Sequence, residues 1–495
     1  MTNYHLMHGD CLEELPKLPE NKADAIVTDP PYGLAFMGKS WDQFDPKELQ
    51  EFTEEWASGC LRVLKPGGHL LTFGGTRTFH RIASGVEDAG FEIRDCLSWH
   101  YGSGFPKSQD MSKAIDKRKN ADREVVGKKE VSRDLSRDGK KGDMAISREE
   151  VNSTEVDVTA PATDEAKQWD GYGTALKPSW EPIILARAPL SEDTIVDNVL
   201  EHDVGALNID GCRIDFDRDP QSYTVDRCKS GAELKEEGGN WKRDGEDVEK
   251  VEGEMPSGRF PANTVLSHTR WCNEDGDEMD CPPSCPVRMM DESSGERPTG
   301  DIKKEHSASA STAELYGEYK DNNDSRWQGD SGGASRFFYT GKATTSEREM
   351  GMDEGKCSHP TVKPLDLIRW LIKLITPMHE DEQSVVLDPF TGSGTTGIAV
   401  AQLRGKTGAD LKFLGVEKSD EYIDMCKKRV YWAFDHDWKR HFTLQAWQEF
   451  DGIGEKRSED VLDKLGPVET ADLSELESVS GIGEKTANKI REEAE

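Results

Sequence analysis

The sequence is poor in long apolar runs, in clustered cysteines and in positive charge, and each shortage excludes a class of protein. No apolar run approaches the roughly 20 residues that a helix needs to cross a bilayer, so we expect no membrane-spanning segment. Ten cysteines are scattered over 495 residues without the framework of a small secreted protein, so we expect reduced thiols and a cytoplasmic location. The first residues, Met-Thr-Asn-Tyr-His, carry no basic segment followed by an apolar one, and no secretory signal is expected.

Positive charge is the largest shortage, because 63 Lys and Arg residues stand against 96 Asp and Glu residues, for a net charge of −33. This balance argues against the basic surface that most nucleic-acid-binding proteins carry. Together with an apolar fraction of only 34%, it is typical of halophilic proteins, whose acidic surfaces stay hydrated in concentrated salt. At about 1 M salt the Debye length is near 3 Å, so repulsion from nucleic-acid phosphates would be screened. The alternative is an acidic mesophilic protein with local basic strips.

The most informative stretch is Asp29-Pro30-Pro31-Tyr32, which follows the apolar run Ala25-Ile26-Val27. The exocyclic amine of adenine or cytosine is a poor nucleophile, and two acceptors for its hydrogens would draw it toward a tetrahedral, attacking geometry. The Asp29 carboxylate and the Pro30 carbonyl offer such acceptors on a loop that the two prolines stiffen. Tyr32 offers a flat face on which an extruded base can stack. A strand that ends in a simple proline turn is the alternative.

A glycine-rich turn lies far downstream, between a predicted strand at 384–387 and a helical pattern that begins at Thr395. Glycines in such a turn let the backbone approach a ligand closely. Glu417 ends the next apolar run, where an acidic residue can accept hydrogen bonds from ribose hydroxyls. The turn lacks the third glycine of a dinucleotide fingerprint and the lysine of a P-loop, so a nucleoside without pyrophosphate fits better. The candidate ligand-binding residues of this turn are Asp388, Phe390, Gly392 and Gly394.

These two stretches, in this order, resemble the beta class of DNA amino-methyltransferases, which use S-adenosylmethionine. Most Rossmann-like methyltransferases place the glycine turn before the Pro-Pro-Tyr loop, whereas this permuted class and this chain reverse the order. RNA and protein-glutamine enzymes with similar tetrapeptides usually keep the unpermuted order, so the inversion favours DNA. The resemblance implies an α/β fold: a Rossmann-like class I methyltransferase sheet in permuted order, with a large irregular insertion and a small all-α C-terminal domain. Both loops should then meet at the carboxyl ends of neighbouring parallel strands.

Further segments carry the same resemblance. His8-Gly9-Asp10-Cys11 resembles the family's motif for the cofactor adenine, with Asp10 as the implied contact. The segment 359–364, His-Pro-Thr-Val-Lys-Pro, resembles the motif at the methionine end of the cofactor, where Lys363 is implied to pair with the cofactor carboxylate. A solvated surface lysine is the alternative for that position. The segments 173–182 and 334–339 look like phage and prokaryotic members of the family, and no contact is assigned within them.

Strand and helix patterns alternate over the first hundred residues, which is typical of parallel βαβ units. We therefore expect residues 1–120 to form the target-amine side of a catalytic domain and residues 335–447 to form its cofactor side. Residues 121–334 are charged and weakly periodic, and they are interpreted as an insertion that holds the target-recognition region. A purely solvated acidic insertion is the alternative. Residues 448–495 form a separate C-terminal domain.

A histidine and three cysteines within the insertion have types and spacings that suit zinc, since tetrahedral sites are built from such side chains. The candidate ligands are His268, Cys272, Cys281 and Cys285. Their spacing matches no standard two-plus-two zinc knuckle, and the loop between the second and third ligands is acidic. Free thiols are the alternative.

The C-terminal domain contains a repeated Gly-Ile-Gly pattern at 452–454 and 481–483, each copy flanked by helical sequence. This pattern resembles the tandem helix-hairpin-helix domain, in which backbone N–H groups of the glycine hairpin point at a DNA phosphate. The implied DNA-binding residues are Gly452, Gly454, Gly481 and Gly483. A pair of αα-hairpins used for packing or for a protein partner is the alternative.

The function that these patterns favour is methyl transfer from S-adenosylmethionine to the N6 amine of adenine in double-stranded DNA. Asp rather than Ser at the first position of the tetrapeptide leans toward adenine N6 over cytosine N4. Methylation of structured RNA and a non-catalytic DNA-binding role stay open as alternatives. A restriction endonuclease partner is compatible with the sequence but is not implied by it, and no membrane partner is expected.

Overall fold

The structure, a computed structural model, describes most of the chain but not all of it. The described residues are 3–34, 42–102, 108–132, 153–214, 222–228, 248–254, 258–269, 272–275, 278–283, 285–298, 331–342, 346–352, 357–359, 361–448, 453, 455–465, 476, 479, 482, 486, 487 and 490. The chain forms two compact units, one made of residues 1–102 and 180–495 and the other of residues 103–179.

The larger unit is built on a nine-stranded sheet. Its strands in chain order are β1 (Tyr4–His8), β2 (Ala23–Thr28), β3 (Leu64–Phe73), β4 (Glu92–His100), β5 (Trp180–Arg187), β6 (Thr264–His268), β7 (Tyr339–Lys342), β8 (Ser384–Asp388) and β9 (Leu411–Glu417). Their order across the sheet is β1-β9-β8-β2-β3-β5-β4-β6-β7. Every residue of the central strands β2 and β8 is buried, as expected for parallel strands covered on both faces.

The strand directions define which residues share an edge of the sheet. The strands from β1 to β3 along the sheet are parallel to one another, as are β4, β6 and β7. Strand β5 lies between β3 and β4 and runs antiparallel to both. The beginning of β5 therefore lies at the same edge as the carboxyl ends of the other eight strands.

Helices cover both faces of this sheet. The helices of the described residues are α1 (Cys11–Glu14), α2 (Pro46–Val63), α3 (Phe79–Asp88), α4 (Met111–Arg118), α5 (Asp164–Gln168), α6 (Ile195–His202), α7 (Pro286–Ser294), α8 (Leu365–Ile375), α9 (Thr395–Thr407), α10 (Asp420–Asp435), α11 (Trp438–Gln448) and α12 (Glu455–Leu465). Apolar side chains of α2 and α3 form the core on one face, and those of α8, α9 and α10 form it on the other. The predicted α/β fold with a large sheet and C-terminal helices is confirmed.

Two of the sheet strands come from the segment that the sequence interprets as an insertion. Strand β5 is bounded by Trp180 and Arg187, and its buried run Ile-Ile-Leu-Ala reads as a core strand once it is seen between β3 and β4. Strand β6 pairs with β4 and β7. The rest of that segment contributes short antiparallel pairs, at Ser222–Cys228 with Val248–Glu254, Asn273–Asp275 with Glu278–Asp280, and Arg297–Pro298 with Ser331–Gly332.

The smaller unit, taken by itself, holds α4, α5 and an antiparallel pair of strands, Val125–Ser132 with Ser153–Thr159. Its centre is Asp116, whose carboxylate accepts hydrogen bonds from Arg123 Nη1 at 2.6 Å and from Thr163 Oγ1 at 2.8 Å. Burial alone would raise the pKa of Asp116, but hydrogen bonds from Ala162, Thr163 and Arg123 outweigh it and lower the pKa to about 2. This carboxylate ties α4 to the residues just before α5.

The C-terminal helices α11 and α12 share a small apolar core with positions further along the chain. Its buried members are Trp447, Ile453, Val461, Leu476, Val479, Ile482, Ala487 and Ile490. Most of them occupy the apolar faces of the repeated pattern. The four glycines of that pattern, Gly452, Gly454, Gly481 and Gly483, lie outside the described residues. In the part of the chain that is described, no helix has the length and apolar content needed to cross a membrane.

Candidate active site

Four neighbouring parallel strands each end beside a carboxylate. Along the sheet in the order β1, β9, β8 and β2, these residues are Asp10, Glu417, Asp388 and Asp29. Lysine Nζ atoms neutralise the two outer members, Lys418 at 2.7 Å from Asp10 and Lys363 at 2.8 Å from Asp29. Among the described residues, the two inner carboxylates form no ion pair. Such an edge repels phosphate and favours a ligand that carries hydroxyl groups and positive charge.

Asp388 joins the two stretches that the sequence singles out. Its Oδ1 accepts hydrogen bonds from Thr28 Oγ1 at 2.8 Å and from Phe390 N at 3.1 Å, and its Oδ2 accepts one from Thr396 Oγ1 at 2.6 Å. Burial raises the pKa of Asp388 to about 6, although the hydrogen bonds from Thr396 and Thr28 oppose the shift. Because Thr28 immediately precedes Asp29, this contact sets the Pro-Pro-Tyr loop beside the glycine turn.

The glycine bend, residues 388–394, has a backbone that side chains would disturb. Gly392 and Gly394 have φ of +53° and +78°, a region that L-residues other than glycine rarely adopt. A Cβ on Gly392 would lie 3.1 Å from His359 Nε2. The carboxylate of Glu417 holds the bend, since its Oε2 accepts a hydrogen bond from Gly392 N at 2.8 Å and its Oε1 one from Ser419 N at 2.7 Å. Burial raises the pKa of Glu417 despite these hydrogen bonds.

A buried arginine on α10 supports the glycine bend, and the sequence alone did not identify this arginine. Arg429 has no exposed surface, and its Nη1 donates to the carbonyl of Ser393 at 2.6 Å. Its Nη2 donates to the carbonyl of Glu347 at 2.8 Å, and its Nε to that of Met350 at 3.2 Å. Burial lowers the pKa of the guanidinium from its ordinary value, which is so high that the group stays charged. Arg429 therefore ties the bend to the segment that precedes the 359–363 loop.

The Pro-Pro-Tyr loop presents Asp29 with its carboxylate already held on both oxygens. Tyr32 Oη donates to Asp29 Oδ1 at 2.6 Å, and Lys363 Nζ donates to Asp29 Oδ2 at 2.8 Å. Pro30 is buried and Pro31 is half-buried, so the loop is anchored at its centre. The Tyr32 ring lies against the end of β3, where a Cβ on Gly75 would come within 3.2 Å of its Cδ2. Burial, followed by the charges of Asp29 and Glu181, raises the pKa of the Tyr32 hydroxyl.

Lys363 lies inside the site, on the side of Asp29. Besides Asp29, its Nζ contacts Tyr32 Oη at 3.2 Å and Glu181 Oε2 at 3.3 Å, which gives each of its three hydrogens an acceptor. The side chain is 10% exposed, so it is not a solvated surface lysine. Burial lowers the pKa of Lys363, but the charges of Asp29 and Glu181 outweigh burial, and the pKa is raised. Pairing of this lysine with the cofactor carboxylate stays a prediction.

Glu181 is a second residue that sequence reasoning did not assign to the site. It lies at the beginning of β5, and the antiparallel direction of that strand brings it to the edge that holds Asp29. Its Oε2 accepts from Tyr32 Oη at 3.2 Å, and its Oε1 accepts from Tyr101 Oη at 3.1 Å. The only signal in the sequence was the family-like segment 173–182, which contains Trp180-Glu181-Pro182.

The 359–363 loop contacts both halves of the site. His359 lies against Gly392 of the bend, and Lys363 lies against Asp29. The ring of His359 also packs edge-on against Tyr422 of α10, with ring centroids 4.5 Å apart. One short loop therefore spans the glycine bend and the Pro-Pro-Tyr loop.

Two further candidate residues flank this site. Asp10 is the N-cap of α1, where its Oδ1 accepts from Leu12 N at 3.0 Å. Burial opposes ionisation of Asp10, but the hydrogen bonds from Lys418 and Leu12 N and the charge of Lys418 together outweigh burial and lower the pKa. The ring of Phe390 packs edge-on against Trp56, with centroids 5.5 Å apart. The ring therefore packs in the core beneath α2, while the backbone N–H of Phe390 donates to the Asp388 carboxylate.

Two family models match this chain, one over most of its length and one near its C-terminal end. A DNA methylase family model, of the N6 and N4 type, matches residues 23–428, and a helix-hairpin-helix motif model matches residues 465–493. The type II methyltransferase M.HindIII of Haemophilus influenzae is 25% identical over 240 residues, which are 41% of this chain and 64% of that protein. M.HpaI of Haemophilus parainfluenzae is 34% identical over 113 residues, which are 22% of this chain and 36% of that protein. The chain thus spans less than two thirds of the length of either relative.

Among solved structures, the PvuII DNA methyltransferase, described as cytosine-N4-specific, is similar to this chain with a TM-score of 0.36. The two are 12% identical, and the match covers 94% of this chain and 93% of that one.

Proposed function

From the premise that this chain belongs to the DNA methylase family, we propose that it transfers a methyl group from S-adenosylmethionine to the N6 amine of adenine in double-stranded DNA. The observation that carries this proposal is the hydrogen bond between Thr28 and Asp388, which sets an amine-binding loop beside a nucleoside-binding bend. Two stretches 360 residues apart then serve a single cleft.

The residues around the glycine bend fit S-adenosylmethionine by charge and by hydrogen-bonding capacity. Glu417 uses one lone pair on each oxygen for a backbone N–H, and an ionised carboxylate retains others that can accept from two ribose hydroxyls. The unpaired carboxylates of Asp388 and Glu417 complement a sulfonium and repel a pyrophosphate. Asp10, at the neighbouring strand end, is placed to contact the adenine. When bound, this cofactor supplies an electrophilic methyl group, and the chain has no need of a covalent nucleophile.

The Pro-Pro-Tyr loop would receive the target base after it leaves the duplex. Tyr32 offers its ring for stacking, and Asp29 with the Pro30 carbonyl would accept the two hydrogens of the amine. Those acceptors hold the nitrogen lone pair in line for attack, which lowers the entropic part of the barrier. Asp29 orients the amine; it is not proposed to form a bond to carbon.

Lys363 and Glu181 act on the reaction through Asp29, as positioning residues. Lys363 Nζ fixes one carboxylate oxygen and Tyr32 Oη fixes the other, so Asp29 has little freedom to rotate before the base arrives. Glu181 balances the charge of the lysine and accepts hydrogen bonds from two tyrosine hydroxyls. A carboxylate that is already oriented needs little reorganisation in the transition state.

The choice of adenine N6 over cytosine N4 rests on Asp29 at the first position of the tetrapeptide, where N4 enzymes often carry serine. Genomic DNA from a host that expresses the protein would be digested to nucleosides and analysed by mass spectrometry. We expect N6-methyladenine above the level of the empty host, and single-molecule sequencing would locate its sequence context. N4-methylcytosine in its place would reverse the base assignment while leaving the reaction class intact.

Asp29→Ala tests the mechanism. We expect loss of methyl transfer to duplex DNA with a cofactor Kd within about threefold of the wild-type value, because the change removes the acceptor for the target amine while Glu181 still pairs with Lys363. Asp88→Ala, an exposed carboxylate at the end of α3, is the matched control and should keep full activity. Transfer by Asp29→Ala at the wild-type rate would contradict the mechanism. Comparing radiolabel transfer to duplex DNA with transfer to structured RNA separates the RNA alternative.

The partner that we propose is double-stranded DNA, bound in part by the C-terminal helix-hairpin-helix region. Backbone N–H donors at a hairpin carry no charge penalty, so this contact is compatible with an acidic surface. Residues 121–334 are proposed to hold most of the sequence-recognition surface.

A further inference from the structure

A compact group of metal-binding side chains lies at the end of β6, apart from the site described above. His268, Cys272, Cys281 and Cys285 each offer one ligand atom, and these four atoms all lie within 4.8 Å of one another. The Nδ1 atom of His268 is 3.3 Å from Cys281 Sγ and 3.5 Å from Cys285 Sγ. All three cysteines are free thiols with almost no exposed surface.

The distances match a tetrahedral metal site. With Zn–S bonds of about 2.3 Å and Zn–N bonds of about 2.0 Å, tetrahedral ligands lie roughly 3.5 to 3.8 Å apart. The two nitrogen-to-sulfur distances are close to that value, and the largest separation exceeds it by about 1 Å, which a small inward movement on metal binding would close. Three thiolates and one imidazole are soft and borderline ligands, which suit zinc better than they suit harder cations.

Local structure explains how four ligands with an unusual spacing in the sequence come together. A short hairpin pairs Asn273 with Asp280, so the residues just outside it, Cys272 and Cys281, stand next to each other at its base. Of the eight residues between these cysteines, a spacing that fits no standard knuckle, six form the two strands of this hairpin. Cys285 directly precedes Pro286, the first residue of α7, where the helix N-terminus favours a thiolate.

We propose that these four residues bind one structural zinc ion that fixes the segment between β6 and β7 to the sheet. Four protein ligands close the coordination sphere, so the ion would not activate water. The site is four strands from β2 along the sheet, or roughly 19 Å at about 4.8 Å a strand, which separates it from Asp29.

The apolar group around the cluster is small among the residues that the structure describes. Apart from the three cysteines, its buried members there are Leu266 and Val287, with Met290 and Phe338 at its margin. Helix α7 in turn orients the residues that precede β7, because Asp291 accepts from Ser335 N at 2.8 Å and from Ser335 Oγ at 2.7 Å. A zinc ion would therefore order both ends of a segment that lies largely within the proposed sequence-recognition region.

The first test is the metal content of the full chain, purified without a histidine tag from medium that contains zinc. We expect about one zinc per chain, retained through dialysis and released when a mercurial reagent blocks the thiols. Cobalt added after zinc removal should give the absorption of tetrahedral, thiolate-bound cobalt. Zinc far below one per chain, together with no such absorption, would overturn the proposal, as would a stable disulfide within the cluster.

Variants separate a specific site from adventitious metal. Cys281→Ser should lower bound zinc by at least half, whereas Cys96→Ser, at an exposed cysteine outside the cluster, should leave it unchanged. Cys281→His restores a nitrogen ligand and should recover zinc if the serine variant merely folds poorly. Equal zinc in all variants would refute the site. Because zinc content is measured without any methyl-transfer assay, this result is independent of the proposed function.

Discussion

Replacing Lys363 by methionine is the most direct perturbation of the candidate site. The change keeps an unbranched side chain one atom shorter and removes its charge, so Asp29 and Glu181 lose the cation that both contact. The loop would retain its shape while two neighbouring carboxylates repel each other. Stability and catalysis should both respond, for the same electrostatic reason.

The size of the effect follows from the geometry. At an effective dielectric constant of about 20, charges 2.8 and 3.3 Å apart attract by roughly 6 and 5 kcal/mol, much of which offsets the cost of burying the ammonium. Removing one partner from a buried ion pair costs about 3–5 kcal/mol because the remaining charge is left uncompensated. The three side chains are 10%, 23% and 21% exposed, so we expect a loss near the lower end, about 3 kcal/mol in the free energy of unfolding.

The pH dependence of this loss has a definite sign. The folded-state pKa of Lys363 is above its ordinary value, so its contribution is fully present below about pH 10 and is lost as the pH rises through the folded value. Denaturant unfolding of wild type and Lys363→Met should therefore differ by the same amount at about pH 7 and at about pH 9. A gap that vanished within this range would contradict the assignment.

A surface ion pair provides the matched control. Lys47 is 2.9 Å from Glu51, but the two side chains are 84% and 58% exposed, so Lys47→Met should leave the free energy of unfolding almost unchanged. Adding Glu181→Gln to Lys363→Met should recover part of the lost stability, since it removes one uncompensated charge. If Lys363→Met cost no more than Lys47→Met, the buried network would not exist in solution.

Kinetics of the same variant distinguish two roles for the lysine. If Lys363 only orients Asp29, kcat falls at least tenfold while the cofactor Kd stays within about threefold. If it also pairs with the cofactor carboxylate, as the sequence motif predicts, the Kd rises about tenfold or more. A variant with unchanged kcat and unchanged Kd would refute both roles.

Three further predictions concern the cofactor edge, the salt dependence and the C-terminal region. Burial raises the pKa of Asp388 to about 6, so its negative charge is present above that pH and is lost below it. The preference for S-adenosylmethionine over its product, whose sulfur is uncharged, should therefore decline below pH 6. In Asp388→Asn this preference, measured by calorimetry, should not change with pH. Methyl transfer should persist from about 0.1 M to about 2 M KCl, because screening is nearly complete at high salt, and a full loss over that range would refute the halophilic interpretation. Changing Gly452 and Gly481 to proline should weaken binding to a DNA duplex while leaving cofactor affinity intact, and unchanged DNA affinity would assign this region another role.

Much of the fold could be read from the sequence because its signals are local. The buried run of β8 and the helix that begins at Thr395 depend on nearby residues only, and both elements lie where the sequence predicts them. Strand β5 could not be placed in this way. Its position between β3 and β4 depends on pairing with residues eighty or more positions away.

The candidate site likewise contains residues that the sequence identifies and residues that only the structure reveals. Asp29, Tyr32, Gly392 and Glu417 were recognisable because each lies at or just after the end of a predicted strand, where parallel topology puts functional residues. Arg429 carried no local signal, since a buried arginine on a helix looks like any surface arginine in sequence.

The sequence alone determined the element types and the two chemical loops, because strand, turn and glycine preferences act within a few residues. Only the tertiary structure decided which charges meet. Glu181 lies on the antiparallel strand and Lys363 on the 359–363 loop, 149 and 331 positions after Tyr32 in the chain, yet both contact Tyr32 beside Asp29. Contacts of that kind depend on how whole strands and helices pack, and no pattern within either segment specifies them.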